Sequence, residues 1–191
     1  MKGTYIFLAD GFEMTEALAT LDVLRRAGIN VKTVSISDDP FVTSSHNVTV
    51  GPDLLYSEFE AFMVKEGTTS ADVMVFPGGM PGTKNLAAHK ELMALMQEHY
   101  LAGGSVAAIC AAPGLVATKL PNLEGKAMTC YDGFEKNLEE KGAMYVKMPA
   151  VTDGNLITGR GAGTAIDFGL AIIAHVKGED TAKAVKASIM L

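Results

Sequence analysis

The chain has 191 residues, 48% of them hydrophobic and 20% charged, with a net charge of −6. That length and balance fit one α/β domain spanning residues 1–191, with a sheet covered by helices on both sides, and they exclude a disordered chain. The acidic balance, with Arg25-Arg26 as the one adjacent arginine pair, argues against nucleic acid or an anionic membrane as the main partner.

Thr4 to Ala9 reads as a strand, Thr15 to Ala27 as a helix and Asn30 to Ser37 as a second strand, punctuated by Gly11 and Gly28: one βαβ unit. Phe41 to Val50, with alternating valines among Ser, His and Asn, reads as a short hairpin or edge excursion. Val73 to Phe76 is a buried strand stopped by Pro77-Gly78-Gly79, and Leu86, Leu92, Met93 and Met96 suggest one helix over Asn85 to Leu101. Val106 to Ile109 is the next strand, ending on Cys110. Lys126 to Cys130 follows as a strand and Phe134 to Lys141 as a charged helix; Met144 to Val151 and Asn155 to Thr158 read as strands about the turn Asp153-Gly154. The apolar Thr164 to Val176 and the short Thr181 to Leu191 close the chain as helices. This alternation predicts a parallel sheet with right-handed crossovers, whose ligand site lies at the carboxyl ends of the strands.

Neither a membrane-spanning run of ~18 apolar residues nor a secretory signal is expected, since Met1 to Ala9 is too short and too strand-like. Two cysteines, Cys110 and Cys130, are too few for a disulfide scaffold and match no zinc spacing, so free thiols, no bound metal and a cytoplasmic location are the expectation.

Four features fall at strand ends: Asp10-Gly11, Pro77-Gly78-Gly79, Cys110 and Gly159-Arg160-Gly161. Cys110 stands where a buried strand turns sharply into a helix, the geometry of a nucleophile elbow. A helix N-terminus favours the thiolate, which is the nucleophilic form. The same cysteine is equally readable as a small, inert core residue. Glu16, six residues past the first strand end, can reach across the crevice or simply complement its helix N-terminus, and Glu13 has the same two readings. Gly79 and Ala111 can aim backbone N–H groups at a developing oxyanion, although Gly78-Gly79 also reads as a plain tight turn. Gly159 to Thr164 lacks the lysine of a phosphate loop and follows a late strand, so nucleotide binding is not expected there. His46, His89, His99 and His175 show no metal-ligand spacing and read as surface or helix-end residues.

The ordered set Asp10-Gly-Phe-Glu-Met-Thr-Glu16, Asp22-Val-Leu-Arg-Arg-Ala-Gly28, Phe76-Pro-Gly-Gly79, Ala107-Ala-Ile-Cys110-Ala-Ala-Pro113 and Gly159-Arg-Gly-Ala-Gly-Thr164 resembles the ThiJ/PfpI superfamily, in particular the branch of YajL and the Parkinson-associated deglycase. The likeness runs from the first strand to about Ile189. It implies a flavodoxin-like three-layer sandwich with a mostly parallel central sheet, usually a homodimer, with Cys110 as the reactive cysteine and Glu16 as its carboxyl neighbour. Gly79 and Ala111 match the oxyanion amides, and Arg26 falls where relatives carry an arginine near the dimer-formed site. Like charge and burial should raise the Glu16 pKa, making it a proton donor to sulfur.

The implied activity is a cysteine-dependent, cofactor-independent glyoxalase III or deglycase acting on small 2-oxoaldehydes or early glycation adducts on proteins. A redox-sensing or chaperone role through Cys110 oxidation is the alternative. Peptidase-like members place a histidine directly after the cysteine; Ala111 stands there instead, so a Cys-His peptidase dyad is not supported. Where the branch has a histidine across the pocket this chain has Cys130, either a second thiol lining the pocket or a plain strand-end residue.

Overall fold

Residues 2–62 and 67–191 are described in the computed structural model of the chain. The first unit is β1 (Thr4–Leu8), α1 (Met14–Arg26) and β2 (Val31–Ser35), followed by β3 (Val42–Thr43), β4 (Thr49–Val50), β5 (Leu54–Leu55) and α2 (Tyr56–Phe62). Next come β6 (Val73–Phe76), α3 (Gly82–Ala88), α4 (Lys90–Leu101), β7 (Ser105–Ile109) and α5 (Ala112–Leu115). The remainder is β8 (Ala127–Met128), α6 (Glu135–Glu139), β9 (Met144–Tyr145), β10 (Ala150–Asp153), β11 (Leu156–Gly159), α7 (Ala165–Lys177) and α8 (Glu179–Ser188).

The central sheet has seven strands in the order β10-β11-β7-β6-β1-β2-β5, all parallel except β10, which runs antiparallel to β11. Its strands are apolar without alternation because both faces are covered. Successive side chains nevertheless part to opposite sides. Phe7, Met74, Phe76, Val106 and Ala108 pack with Leu86, Leu92 and Met96 of α3 and α4. Ile6, Leu8, Val73, Val75, Ala107 and Ile109 pack with Val23 of α1 and with Phe168 and Ile172 of α7. The result is a three-layer α/β sandwich.

Helix α1 buries Glu16, Ala17, Thr20, Val23 and Leu24, a single stripe at helical spacing. It lies close against α7 because Gly169 has no side chain: a Cβ there would collide with Val23 Cγ2.

Three expectations are corrected. The helix over Asn85 to Leu101 is two helices, broken at His89, whose extended backbone leaves its Nδ1 to accept the Leu92 N–H at 3.2 Å as the cap of α4. Met144 to Val151 is not one strand: β9 pairs with β8 in a small parallel ladder, while β10 forms the antiparallel edge of the main sheet, with Pro149 between them. The strand over Lys126 to Cys130 shrinks to the two residues of β8. The hairpin over Phe41 to Val50 is present as the antiparallel pair β3–β4.

Sheet order reverses at β1, with β2 on one side and β6 on the other. A crevice therefore opens beyond the carboxyl ends of β1, β6 and β7. The connections leaving these three strands carry Glu16, Gly78-Gly79 and Cys110.

Candidate active site

Cys110 follows β7 directly with φ +66°, in the left-handed region. A residue bearing a Cβ costs on the order of 1–2 kcal/mol there and persists only where its surroundings fix it. Both its backbone groups are held: its N–H donates to Gly159 O at 3.0 Å and its carbonyl accepts from Tyr131 N–H at 2.8 Å. The thiol, half-buried, is thus turned off the strand into the crevice.

Glu16 sits in the first turn of α1, 1% exposed. The N-cap Glu13 fixes that turn, its Oε2 accepting the Glu16 N–H at 2.7 Å. Glu16 Oε2 accepts the Gly78 N–H at 2.7 Å. Its Oε1 is buried with no hydrogen-bond partner among the described residues, and the Cys110 thiol is the titratable group that faces the carboxyl. Gly78 makes that meeting possible: a Cβ on it would lie 2.6 Å from both Cys110 Cβ and Glu16 Oε2, and 3.0 Å from Cys110 Sγ.

Burial raises the Glu16 pKa to about 7 against the opposing hydrogen bonds from Cys110 and Gly78, with the Glu13 charge adding to the rise. Cys110 departs from the expectation of easy ionisation. Burial first, then the negative charge and hydrogen bond of Glu16, push it up to about 12, while the N–H groups of Ala111 and Gly79 pull it down. Helix α5 spans only Ala112–Leu115, so its end alone does not offset burial. Above about pH 7, where Glu16 has released its proton, the pair keeps one proton and that proton sits on sulfur; a thiolate forms here when Glu16 holds it instead.

A cavity of about 470 Å³ opens over the pair, with Gly79 and Ala111 also at its floor and with Glu13, Ser45, His46, Met80, Tyr131, Phe134 and Ala162 around it. Cys110, Glu16, Gly79 and Ala111 therefore line one cavity. Cys130 does not join them: fully buried, it belongs to the apolar core, and burial pushes its thiol up to about 12. Arg26 lies ten residues along α1 from Glu16, roughly 15 Å at helical rise, paired with Asp22 at 2.6 Å beside a separate crevice against Ile189 and Leu191. Within one chain it does not line the Cys110 cavity.

The Gly159 to Thr164 loop borders an adjoining crevice of about 340 Å³, where Arg160 is held by both carboxylate oxygens of Asp132 at 2.7 and 3.0 Å. His99 and His175 bond main-chain and hydroxyl groups around Ser105 at the opposite, amino end of β7. His46, read from sequence as a surface residue, is exposed but also lines the cavity. Among the described residues no cluster of three or more His, Cys, Asp or Glu is placed to hold a metal, and no helix is long and apolar enough to cross a membrane.

The chain as a whole is similar to known proteins. Protein dj-1beta of Drosophila melanogaster is 32% identical over 190 residues, covering 100% of this chain and 97% of its own. The glutathione-independent glyoxalase DJ-1 of Schizosaccharomyces pombe is 30% identical over 189 residues, covering 97% of each chain. A DJ-1 superfamily protein of Salmonella typhimurium superposes with a TM-score of 0.87 at 33% identity, over 100% of this chain and 98% of its own. The DJ-1/PfpI family model matches residues 2–175. With fold, strand-end motifs and full-length relatives in agreement, the chain belongs to the DJ-1/PfpI family.

Proposed function

We propose that the protein is a glutathione-independent glyoxalase, converting small 2-oxoaldehydes such as methylglyoxal to 2-hydroxy acids with Cys110 as nucleophile and Glu16 as proton carrier. The observation that carries this reading is the buried Glu16 carboxyl set beside the half-buried Cys110 thiol, both opening onto one cavity. The Schizosaccharomyces pombe relative that bears the glyoxalase name supports it.

With the proton on Glu16, Cys110 Sγ attacks the aldehyde carbon C1. The S–C1 bond forms, the C1=O π bond breaks, and O1 takes the Glu16 proton under the Gly79 and Ala111 N–H groups. Glu16, now a carboxylate, removes the C1 hydrogen; the electron pair forms C1=C2, and the C2=O pair moves onto O2. Returning the proton from Glu16 to C2, with the O1 proton passing to O2, leaves a thioester of the 2-hydroxy acid. C1 has been oxidised and C2 reduced within one molecule, so no external oxidant enters. Water then splits the thioester, restoring the thiol.

Repair of glycation adducts is the same chemistry on a larger substrate and stands as a narrower form of the proposal. Methylglyoxal consumption with lactate detection, without glutathione, tests it: turnover in the wild type that is lost in Cys110→Ser is the expected result. Turnover surviving Cys110→Ser would sink the mechanism.

A further inference from the structure

Moving hydrogen from C1 to C2 develops negative charge on O2 as well as on O1. The floor of the cavity provides one carboxyl and two amides, and those amides face the sulfur. We propose that His46 is the second proton-transfer residue of the site, donating to O2 of the Cys110-bound substrate. This rests on the glyoxalase reading above.

His46 is the one imidazole among the described residues lining the cavity. Its place there is fixed by the backbone. The segment before it is tied to the loop between β1 and α1 at three points: Gly11 N–H to Thr43 O at 2.7 Å, Thr43 N–H to Asp10 Oδ1 at 2.8 Å and Ser45 N–H to Phe12 O at 2.9 Å. That loop ends at Glu13, the cap of the turn bearing Glu16, so hairpin and carboxyl share one anchor. Beyond His46 the chain turns back through Asn47 at φ +60°, with the Asn47 and Val48 N–H groups donating to Ser44 O and Ser44 Oγ at 3.1 and 3.0 Å.

The ring has one nitrogen engaged and one open. Nδ1 lies 3.2 Å from Ser45 Oγ, and Nε2 has no partner among the described residues. The two carboxyls lining the cavity suit the task less well. Glu16 Oε2 accepts the Gly78 N–H and its carboxyl already handles the C1 hydrogen, while Glu13 Oε2 is committed to the Glu16 N–H. Cys130, facing the core, offers nothing to the cavity. In the step assigned to His46, a protonated imidazole gives its proton to O2 as Glu16 takes the C1 hydrogen. The neutral ring then recovers the O1 proton when C2 is protonated and the thioester forms. Charge and protons close over the cycle.

The test compares His46→Ala and His46→Gln with the wild type in glutathione-free methylglyoxal turnover, with Cys110 alkylation by iodoacetamide followed alongside. His46 is exposed, so neither substitution disturbs the core. Both variants are expected to lose at least about a hundredfold in kcat, at the low end of acid–base contributions, with a smaller change in KM and an alkylation rate within about twofold of wild type. Gln keeps an N–H donor but cannot transfer a proton, so a Gln variant with wild-type kcat overturns the assignment. A fall in alkylation rate matching the fall in kcat also overturns it, because His46 would then act through the thiol. A wild-type protein inert to methylglyoxal defeats the functional reading itself, before any His46 variant is compared.

Discussion

Gly78→Ala isolates the geometry of the Glu16–Cys110 pair without altering either reacting group. The added methyl would stand 2.6 Å from Cys110 Cβ and from Glu16 Oε2. Comfortable carbon contacts need about 3.5–4.0 Å, so one of the three must move by roughly 1 Å. Cys110 Cβ is fixed by a backbone held through Gly159 and Tyr131, whereas the carboxyl end can swing away. Doing so costs Glu16 its 2.7 Å bond from Gly78 N–H inside a buried site, on the order of 1–3 kcal/mol. Alanine in an unstrained backbone returns about 0.4–1 kcal/mol by restricting the unfolded chain. The net loss of stability should therefore be about 1–2 kcal/mol, readable by denaturant titration. Turnover should fall much further, by roughly a hundredfold, because a 1 Å misplacement of reacting groups is worth about that much. Measuring kcat/KM with methylglyoxal beside the unfolding free energy separates the two effects. A Gly78→Ala protein with turnover within twofold of wild type would refute the claim that the missing Cβ is what seats the carboxyl against the thiol.

Two other substitutions probe the electrostatics and the core. The Glu16 pKa rises from 4.5 in the unfolded chain to about 7 in the folded one, so between these values the folded protein keeps a proton that the unfolded chain has released. Stability contributed by that proton is complete at low pH and is lost as pH rises through about 7. Glu16→Gln, uncharged at every pH, should match the wild type near pH 4 and exceed it at pH 8 by about 3 kcal/mol in chemical unfolding, while losing turnover; equal stabilities at pH 8 would contradict the pKa assignment. Cys130→Ser places a hydroxyl in the apolar core and should cost about 1–3 kcal/mol, with the Cys110 alkylation rate unchanged; altered alkylation would put Cys130 in the site after all.

Much of the site could be read from the chain because its residues sit next to strand ends. Asp10-Gly11, Gly78-Gly79 and Cys110 each interrupt an apolar run, and parallel topology brings such interruptions to one edge. His46 had no comparable signal: it reaches the cavity through hydrogen bonds from Thr43 and Ser45 to residues more than 30 positions earlier in sequence. The aspartate at the first strand end was visible, but its partner was not. The break at His89 did leave a trace, since Leu86 and Leu92 are six residues apart, off the phase of a continuous helix. Cys130 could not be assigned from spacing, because which face of a two-residue strand meets the core is decided by packing. Nor could the ionisation of Cys110, which depends on how deeply the pair is buried and on the shortness of α5.

Cys110 and the cavity wall stand on foundations of very different strength. Cys110 extends from β7, flanked by β6 and β11 in the middle of the sheet, whereas His46 rides on a hairpin whose two strands are two residues each. Protection against amide exchange should accordingly be near-global at Ile109 and much lower across Thr43 to Val50. Exposed hairpin side chains such as Ser45 and His46 can be replaced at little thermodynamic cost, while Val42, buried in the core, and the residues behind the cysteine cannot. The lining of the cavity can therefore be reshaped from the hairpin without loosening the strand that carries Cys110.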